Sequence, residues 1–337
     1  LVNLQSHRIT RSDVAREAGT SVAVVSYVIN NGPRSVAEAT KKRVLEAIKK
    51  IGYRPNEIAR ALASGITKTY GLVVPNISNP FISSMAHALQ REAFGNGQVL
   101  LLGDAGDDCQ RELELINNLL HRQVDGLLYT SVNRHPYIEL IQASETPFVM
   151  LDRVDPVLQI NTIRVDERAA AFQATWHLIE HGYRDIAIIC GPLDMLNTQD
   201  RLNGWRDALQ QAGLSVHEEW IFSTPYTRPG GYQAAQQMLK VPLPQALFAT
   251  NELQAFGCLR AMAEHNLSAP KDLALVCFNG TIESEYNVPS LTTVRQPVDA
   301  MAKTAINMLK NWNGTPAICE FGFMLQIGES CGCSIPK

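Results

Sequence analysis

The 337-residue chain has no apolar run as long as 18 residues, so a membrane-spanning helix is not expected and neither is a membrane partner. Its N-terminal LVNLQSHR is short and polar and has no secretory signal pattern, which makes a cytoplasmic location the expectation. The signatures of several enzyme classes are missing. There is no Walker A loop, no G-x-G-x-x-G, no G-x-S-x-G, and no H-E-x-x-H among the eight histidines. No catalytic residue and no cofactor is therefore expected. The seven cysteines, at 109, 190, 258, 277, 319, 331 and 333, form no C-x-x-C pair. Cys190 and Cys277 lie in apolar runs and read as small buried side chains. Cys331-Gly-Cys333 is compatible with a metal or redox pair but reads as an inert tail, so no metal site is expected. Internal repeats and low-complexity segments are also absent.

What is present is uneven in charge. Residues 1–65 hold eleven Lys/Arg against five Asp/Glu, a net of +6, while the whole chain is −3, leaving −9 on the remainder. A basic module on an acidic body suits an N-terminal contact with phosphates. The local pattern there is helical. Thr10 is an N-cap residue with Asp13 in the first turn, and Gly19 suits a left-handed helix end near Ala18. Ser21 caps a second helix two residues later. Short helices joined by a tight Gly-containing turn have the form of a helix-turn-helix. Val14, Ala15, Ala18, Val25, Val28 and Ile29 have the spacing of one shared core. A third helix, about 36–51, places Val44, Leu45, Ile48 and Ile51 on one face and ends before Gly52. A helical subdomain with no nucleic-acid role is the plainer reading, and the charge weighs against it.

The segment 56–64, NEIARALAS, is rich in helix formers but too short to hold a helix alone, which takes roughly 12–15 residues. It orders only if something buries Ala59, Leu62 and Ala63, which share a face; a flexible linker is the alternative. From Thr67 on, apolar runs at 70–76, 98–104, 125–131, 148–152, 185–191, 246–251 and 273–280 alternate with amphipathic stretches at 82–94, 108–122, 167–181, 201–212, 230–240 and 252–265. Buried parallel strands with crossover helices give that alternation. Roughly 270 residues suit two such sheets better than one. The fold class is thus α/β with an all-α headpiece.

Three stretches carry a resemblance. They are DVAREAG (13–19) followed by Ser21, Val25-Ser26, Val28 and Asn30; then Thr40 with RVLEAI (43–48), GYRPN (52–56), Ala59-Arg60 and Leu62; then GLVVPNISNPF (71–81). Together they resemble the LacI/GalR family of bacterial transcription regulators, and the likeness continues at low density to the C-terminus. The resemblance implies a headpiece over 1–55, a hinge over 56–66, and a periplasmic-binding-protein-like core over 67–337. That core would comprise two doubly wound subdomains, one of 67–164 with 298–325 and one of 166–295 with 326–337. Chain crossings are expected near 162–166, 295–298 and 325. The resemblance also implies a homodimer on pseudopalindromic operator DNA and a small-molecule effector in the cleft, with a sugar, sugar phosphate or sugar acid expected.

By the same resemblance, Val22, Ala23 and Tyr27 face bases in the major groove, and Thr10, Ser21, Ser26 and Asn30 hold phosphates. Leu62 would be a wedge at a central minor-groove step. The plain alternative for Val22 and Ala23 is ordinary helix surface. The effector contacts fall on Phe81, Asp152, Arg201, Tyr226, Asn251, Asn279 and Gln296. Carboxylate, guanidinium and amides suit hydroxyls, and aromatic rings cover a sugar face. Asp152 and Asn251 could equally serve as turn or helix caps, and Tyr226 as rim. Three departures stand out. Tyr27 replaces an Arg that would read guanine, Ala37 replaces a capping Ser (with Ser35 and Glu38 as a substitute capping box), and Asn279 replaces an Asp. The last suits an anionic effector or a different sugar. Competing readings are a solute-binding protein, an α/β enzyme acting on a sugar or nucleotide, and a constitutive DNA-binding protein with a non-signalling cleft.

If Leu62 is the wedge, Leu62→Ala weakens operator binding by roughly tenfold or more, about 1.4 kcal/mol or above, and leaves effector binding intact. Equilibrium binding to operator DNA checks it, and an unchanged affinity removes the role.

Overall fold

A computed structural model describes residues 9–30, 32, 34–56, 60–61, 64–131, 133–151 and 158–333. The chain divides into two compact units, Leu1–Thr67 and Lys68–Lys337. No helix among the described residues is long and apolar enough to cross a membrane.

The first unit holds α1 (Arg11–Glu17), α2 (Val22–Asn30) and α3 (Glu38–Ile51). The Asp13 carboxylate accepts from the Thr10 N–H at 2.9 Å and from its hydroxyl at 2.7 Å, fixing the start of α1. Gly19 supplies the left-handed turn (φ 62°), and the Ser21 hydroxyl accepts the Val24 N–H at 3.3 Å to begin α2. Val14, Ala15, Ala18, Val25, Val28, Val44, Ala47 and Tyr53 form the core, with Ile29, Ile48 and Ile51 packed partly against it.

Two local expectations fail. Helix α3 starts at Glu38 with Ala37 as N-cap and no side-chain hydrogen bond there, so the capping box of Ser35 and Glu38 does not form. Leu45 is half exposed, because the helix turns Val44 and Ala47 inward instead. Of the hinge, Glu57, Ile58, Ala59, Leu62 and Ala63 lie outside the described residues. Around them, Arg60 N–H donates to Asn56 C=O at 3.1 Å and Gly65 N–H to Ala61 C=O at 2.8 Å, both at helical spacing.

The second unit alternates strands and helices. Its first half runs β1 (Thr69–Val74), α4 (Pro80–Gly95), β2 (Val99–Asp104), α5 (Cys109–His121), β3 (Gly126–Tyr129), α6 (Ile138–Ala143), β4 (Phe148–Met150) and β5 (Thr162–Val165). The second half runs α7 (Glu167–Glu180), β6 (Ile186–Cys190), α8 (Leu196–Gln211), β7 (Ile221–Ser223), α9 (Arg228–Met238), β8 (Ala246–Ala249), α10 (Glu252–Glu264), β9 (Ala274–Phe278), α11 (Ile282–Tyr286) and β10 (Thr292–Arg295). The chain closes with α12 (Val298–Lys310), β11 (Ile318–Phe321) and β12 (Met324–Gln326).

The strands form two six-stranded sheets, ordered β11-β5-β4-β3-β1-β2 and β12-β10-β9-β8-β6-β7. Every pairing is parallel except β12 against β10. The two orders repeat each other, each reversing at its first strand, which is the doubly wound pattern. The chain leaves the first sheet after β5, returns after β10 to supply α12 and β11, and crosses again before β12. Strands β6, β8 and β9 are buried at every residue, so their sequences are continuously apolar rather than alternating. Cys190 and Cys277 are fully buried there, and burial pushes their thiols up to about 11 and about 12, as inert core groups.

Helices α7 and α8 press together at a glycine. A Cβ on Gly204 would stand 2.2 Å from the Arg168 carbonyl oxygen and 2.8 Å from the Ala171 Cβ. Arg168 and Asp207 bracket the same contact with two hydrogen bonds of 2.6 and 2.9 Å, an exposed pair that adds little. Gly204→Ala is expected to force the helices apart and cost about 1–3 kcal/mol, read as a lower urea midpoint. An unchanged midpoint would show that the contact is not tight.

Candidate functional site

Open parallel sheets place ligands beyond the carboxyl ends of their strands. There, a cavity of about 790 Å³ opens between the two sheets of the second unit. Phe81, Arg201, Tyr226, Asn251, Asn279 and Gln296 all line it. Asp152 lies outside the described residues.

The six residues do different work. Phe81 enters at the start of α4, its N–H accepted at 3.0 Å by the Asn79 side chain that caps the helix. Tyr226 presents its ring with the hydroxyl 2.7 Å from Thr198 Oγ1. The ring lies so close to the end of β6 that a Cβ on Gly191 would stand 2.2 Å from its Cζ, so only glycine fits. Burial raises the Tyr226 phenol, against the lowering effect of Arg201 and of the Thr198 hydrogen bond, and keeps it a neutral donor and acceptor.

Asn251 caps α10, its Oδ1 accepting the Leu253 N–H at 2.8 Å. The capping role weighed for it in the sequence is therefore real, although the residue also lines the cavity. Asn279 ends β9 in the left-handed region (φ 65°), which Asn tolerates better than most residues. Its Oδ1 accepts from Gln296 Nε2 at 2.5 Å. With that oxygen engaged, the Asn279 amide adds N–H donors to the cleft where an Asp would add only charge and acceptors.

Arg201 is 4% exposed and turned largely inward. Its Nε donates to the buried Glu167 carboxylate, its Nη1 donates to the Thr250 carbonyl at 2.6 Å, and the guanidinium lies 4.0 Å over the Phe278 ring. This geometry ties the start of α7 to α8 and the end of β8. The sequence reading of Arg201 as a contact for ligand hydroxyls missed that structural load.

Other residues were missed altogether. Asn76 and Ser131 stand two positions beyond strands β1 and β3, and the strand-end rule could have flagged them. Asn76 Nδ2 donates to Asp107 at 2.7 Å. Arg134, Arg164 and Arg228 also line the cleft, so with Arg201 it carries, among the described residues, four guanidinium groups against three carboxylates, Asp107, Glu167 and Asp194. Nothing in local spacing announces that convergence. Two buried carboxylates brace the walls. Glu112 accepts from Tyr129 Oη and, at 2.6 Å, from Ser131 Oγ. Glu252 accepts from the Thr281 N–H at 3.0 Å and from the Ser284 hydroxyl, holding the loop after Asn279.

In the first unit, Val22, Ala23, Ser26, Tyr27 and Asn30 fall on one side of α2, opposite buried Val25 and Val28. Val22 is 44% exposed, a large apolar side chain left in solvent. Asn30 Nδ2 donates to Ser26 Oγ at 3.2 Å, and Thr10 and Ser21 stand exposed at the two helix starts. A Cβ on Gly32 would stand 2.7 Å from the Tyr27 ring, so glycine gives that ring its place. Leu62 lies outside the described residues.

The buried pair at the cleft makes a stability prediction. Arg201→Ala leaves Glu167 buried without its partner and is expected to cost about 3–5 kcal/mol in urea unfolding. Glu167→Gln combined with Arg201→Met should cost clearly less than the sum of the single changes. Additive losses would show that the two groups are not coupled.

Comparison with known proteins follows the same division. Residues 10–56 match bacterial regulatory proteins of the lacI family, and residues 67–309 match periplasmic binding proteins and the sugar binding domain of the LacI family. Catabolite control protein A of Priestia megaterium is 34% identical, with 90% of this chain and 92% of the relative covered. The ribose operon repressor of Escherichia coli is 35% identical, with 89% and 92% covered. Among solved structures, a lac repressor dimer bound to operator and the anti-inducer ONPF superposes with a TM-score of 0.85. It covers 96% of this chain and 99% of the other at 24% identity, a likeness of fold.

Proposed function

The chain belongs to the LacI family of bacterial regulatory proteins, and we propose that it is an effector-responsive transcription repressor that binds a pseudopalindromic operator as a dimer. The observation that carries this reading is the pairing, in one chain, of a basic helix-turn-helix with an exposed reading face and a cleft between two α/β sheets that sets a few polar groups in an apolar lining. A solute-binding protein needs no such headpiece, and the cleft residues described above serve binding rather than turnover. DNA as partner makes the cytoplasm the place of action.

On α2, Val22, Ala23 and Tyr27 meet base edges, and Thr10, Ser21, Ser26 and Asn30 hold the backbone. Tyr27 cannot form the bidentate pair with guanine that an Arg would, so the operator differs at that base from those of Arg-bearing relatives. Leu62 wedges the operator centre. Edge strand β2 leaves Val99 and Leu102 exposed, with Phe94 81% exposed just before it. An apolar edge of this kind suits pairing with a second copy.

The effector is a sugar derivative that bears an anionic group, a phosphate or a carboxylate. Phe81 and Tyr226 cover its ring, while Asn251, Gln296 and Asp152 take its hydroxyls. The Asn279 amide, Arg134 and Arg228 serve the anion, since Arg201 is held by Glu167 and Arg164 by Glu320 at 3.0 Å. Arg201 acts through the Glu167 pair to hold Tyr226 and the end of β8 in place. To switch the repressor, the effector must bind one cleft conformation better than the other, and the size of that difference sets the response.

A thermal-shift panel of neutral sugars, sugar phosphates, sugar acids and nucleosides tests this, followed by operator titration with each hit. Sugar phosphates or sugar acids are expected to raise the unfolding midpoint and to change operator affinity. Asn279→Asp should weaken the anionic ligand by roughly tenfold, about 1.4 kcal/mol. Binding confined to neutral sugars would overturn the anionic assignment. A flat panel with unchanging operator affinity would favour a constitutive DNA-binding protein.

A further inference from the structure

Far from the cleft, four side chains with metal-binding atoms converge. His177 and His181 stand one turn apart on one face at the end of α7, and Cys331 and Cys333 come from the segment after β12. His177 Nε2 lies 3.3 Å from Cys331 Sγ and 3.7 Å from Cys333 Sγ, and His181 Nε2 lies 3.0 Å from Cys333 Sγ. All four donor atoms fall within 4.8 Å of one another. We propose that His177, His181, Cys331 and Cys333 form a tetrahedral Zn²⁺ site that clasps the C-terminal segment to α7.

The chemistry selects the metal. Two thiolates and two imidazoles make the Cys₂His₂ donor set of structural zinc, and Mg²⁺ or Ca²⁺ would require oxygen ligands. The geometry agrees. With Zn–S near ~2.3 Å and Zn–N near ~2.0–2.1 Å, the edges of a ligand tetrahedron are about 3.3–3.8 Å; the three His–Cys separations above run 3.0–3.7 Å and the whole set lies within 4.8 Å. The surroundings orient the ligands. Thr292 Oγ1 donates to Cys331 Sγ at 2.9 Å, and the Tyr183 ring stacks on His181 at 6.3 Å between centroids. Gly332, left-handed at φ 93°, lets the two flanking thiols turn toward the same point. The segment is already registered on the sheet, because Ser330 accepts the Leu275 N–H at 2.7 Å through its carbonyl and donates its hydroxyl to the Leu275 carbonyl at 2.7 Å.

The clasp closes the end of α7 opposite the cleft. Glu167, at the start of that helix, is paired with Arg201, and ten residues of helix, about 15 Å, separate it from His177. On this proposal Cys331-Gly-Cys333 is a ligand pair rather than the inert tail its sequence suggests. Its partners lie some 150 residues earlier, where sequence spacing does not reveal them.

The test uses the untagged full-length chain, stripped with a chelator under reducing conditions, and Zn²⁺ itself as the probe. One Zn²⁺ per chain is expected after gel filtration, with a rise of several degrees in the unfolding midpoint. Co²⁺ substitution should give tetrahedral d–d bands and a thiolate-to-metal charge-transfer band. Cys333→Ser and His181→Asn, both at positions that are not fully buried, should each weaken Zn²⁺ by about tenfold or more, and Cys331→Ser with Cys333→Ser should abolish binding. A wild-type zinc content equal to that of Cys333→Ser, or an octahedral cobalt spectrum without the thiolate band, overturns the site. The single variant decides if the double one fails to fold. None of these outcomes depends on the effector or the operator.

Discussion

Burying a parallel sheet on both faces is the constraint that organises the core. Strands such as β6 (IAIIC) and β9 (ALVCF) are covered completely, with a parallel neighbour on each side and helices closing both faces. No side chain within such a strand is free for chemistry. Polar groups are admitted only where the strands end, and two sheets of the same winding turn their ends toward one another. Asn76, Ser131, Asn251 and Asn279 all stand at such ends, and the cavity lies among them.

The cleft holds its shape through buried charge that is fully engaged. Glu167 is neutralised by Arg201, while Glu112 and Glu252 accept hydrogen bonds from hydroxyls and a backbone N–H. Such groups are costly to bury and add little net stability compared with apolar residues of the same size. They fix one arrangement of neighbouring walls, since each has only one set of partners. Glu252 sets the loop after Asn279, and Arg201 sets the end of β8. A ligand therefore meets walls whose polar groups are already positioned among a largely apolar lining.

The headpiece follows a different logic. It is small, its core is a handful of Ala and Val side chains with Tyr53, and its outer helix face is left for a partner. Regulation requires that the two units communicate through the short stretch between them. In that stretch the Asn56–Arg60 and Ala61–Gly65 hydrogen bonds have helical spacing. An effector influences that communication only to the extent that it favours one cleft conformation.

The sequence alone determined the elements whose signal is local. Thr10, Gly19 and Ser21 mark the helix-turn-helix, because caps and left-handed turns depend on neighbours within four residues. The long apolar runs 70–76, 185–191 and 273–280 mark central strands, because burial on both faces leaves no alternation. Strands β5 (TIRV), β7 (IFS), β10 (TTVR), β11 (ICEF) and β12 (MLQ) went unnoticed. They are only three to four residues long, and neighbours in the sheet, not propensity, hold them extended. Helix α12 was missed as well, although its apolar stripe is regular. The family motifs reached into the cleft as far as Arg201, Tyr226 and Asn279. Only the tertiary structure decided that Arg201 is committed to Glu167 and that His177 and His181 meet Cys331 and Cys333. Those facts join residues from 34 to more than 150 positions apart, or depend on which way a side chain turns within a packed wall. Periodicity carries no information about either.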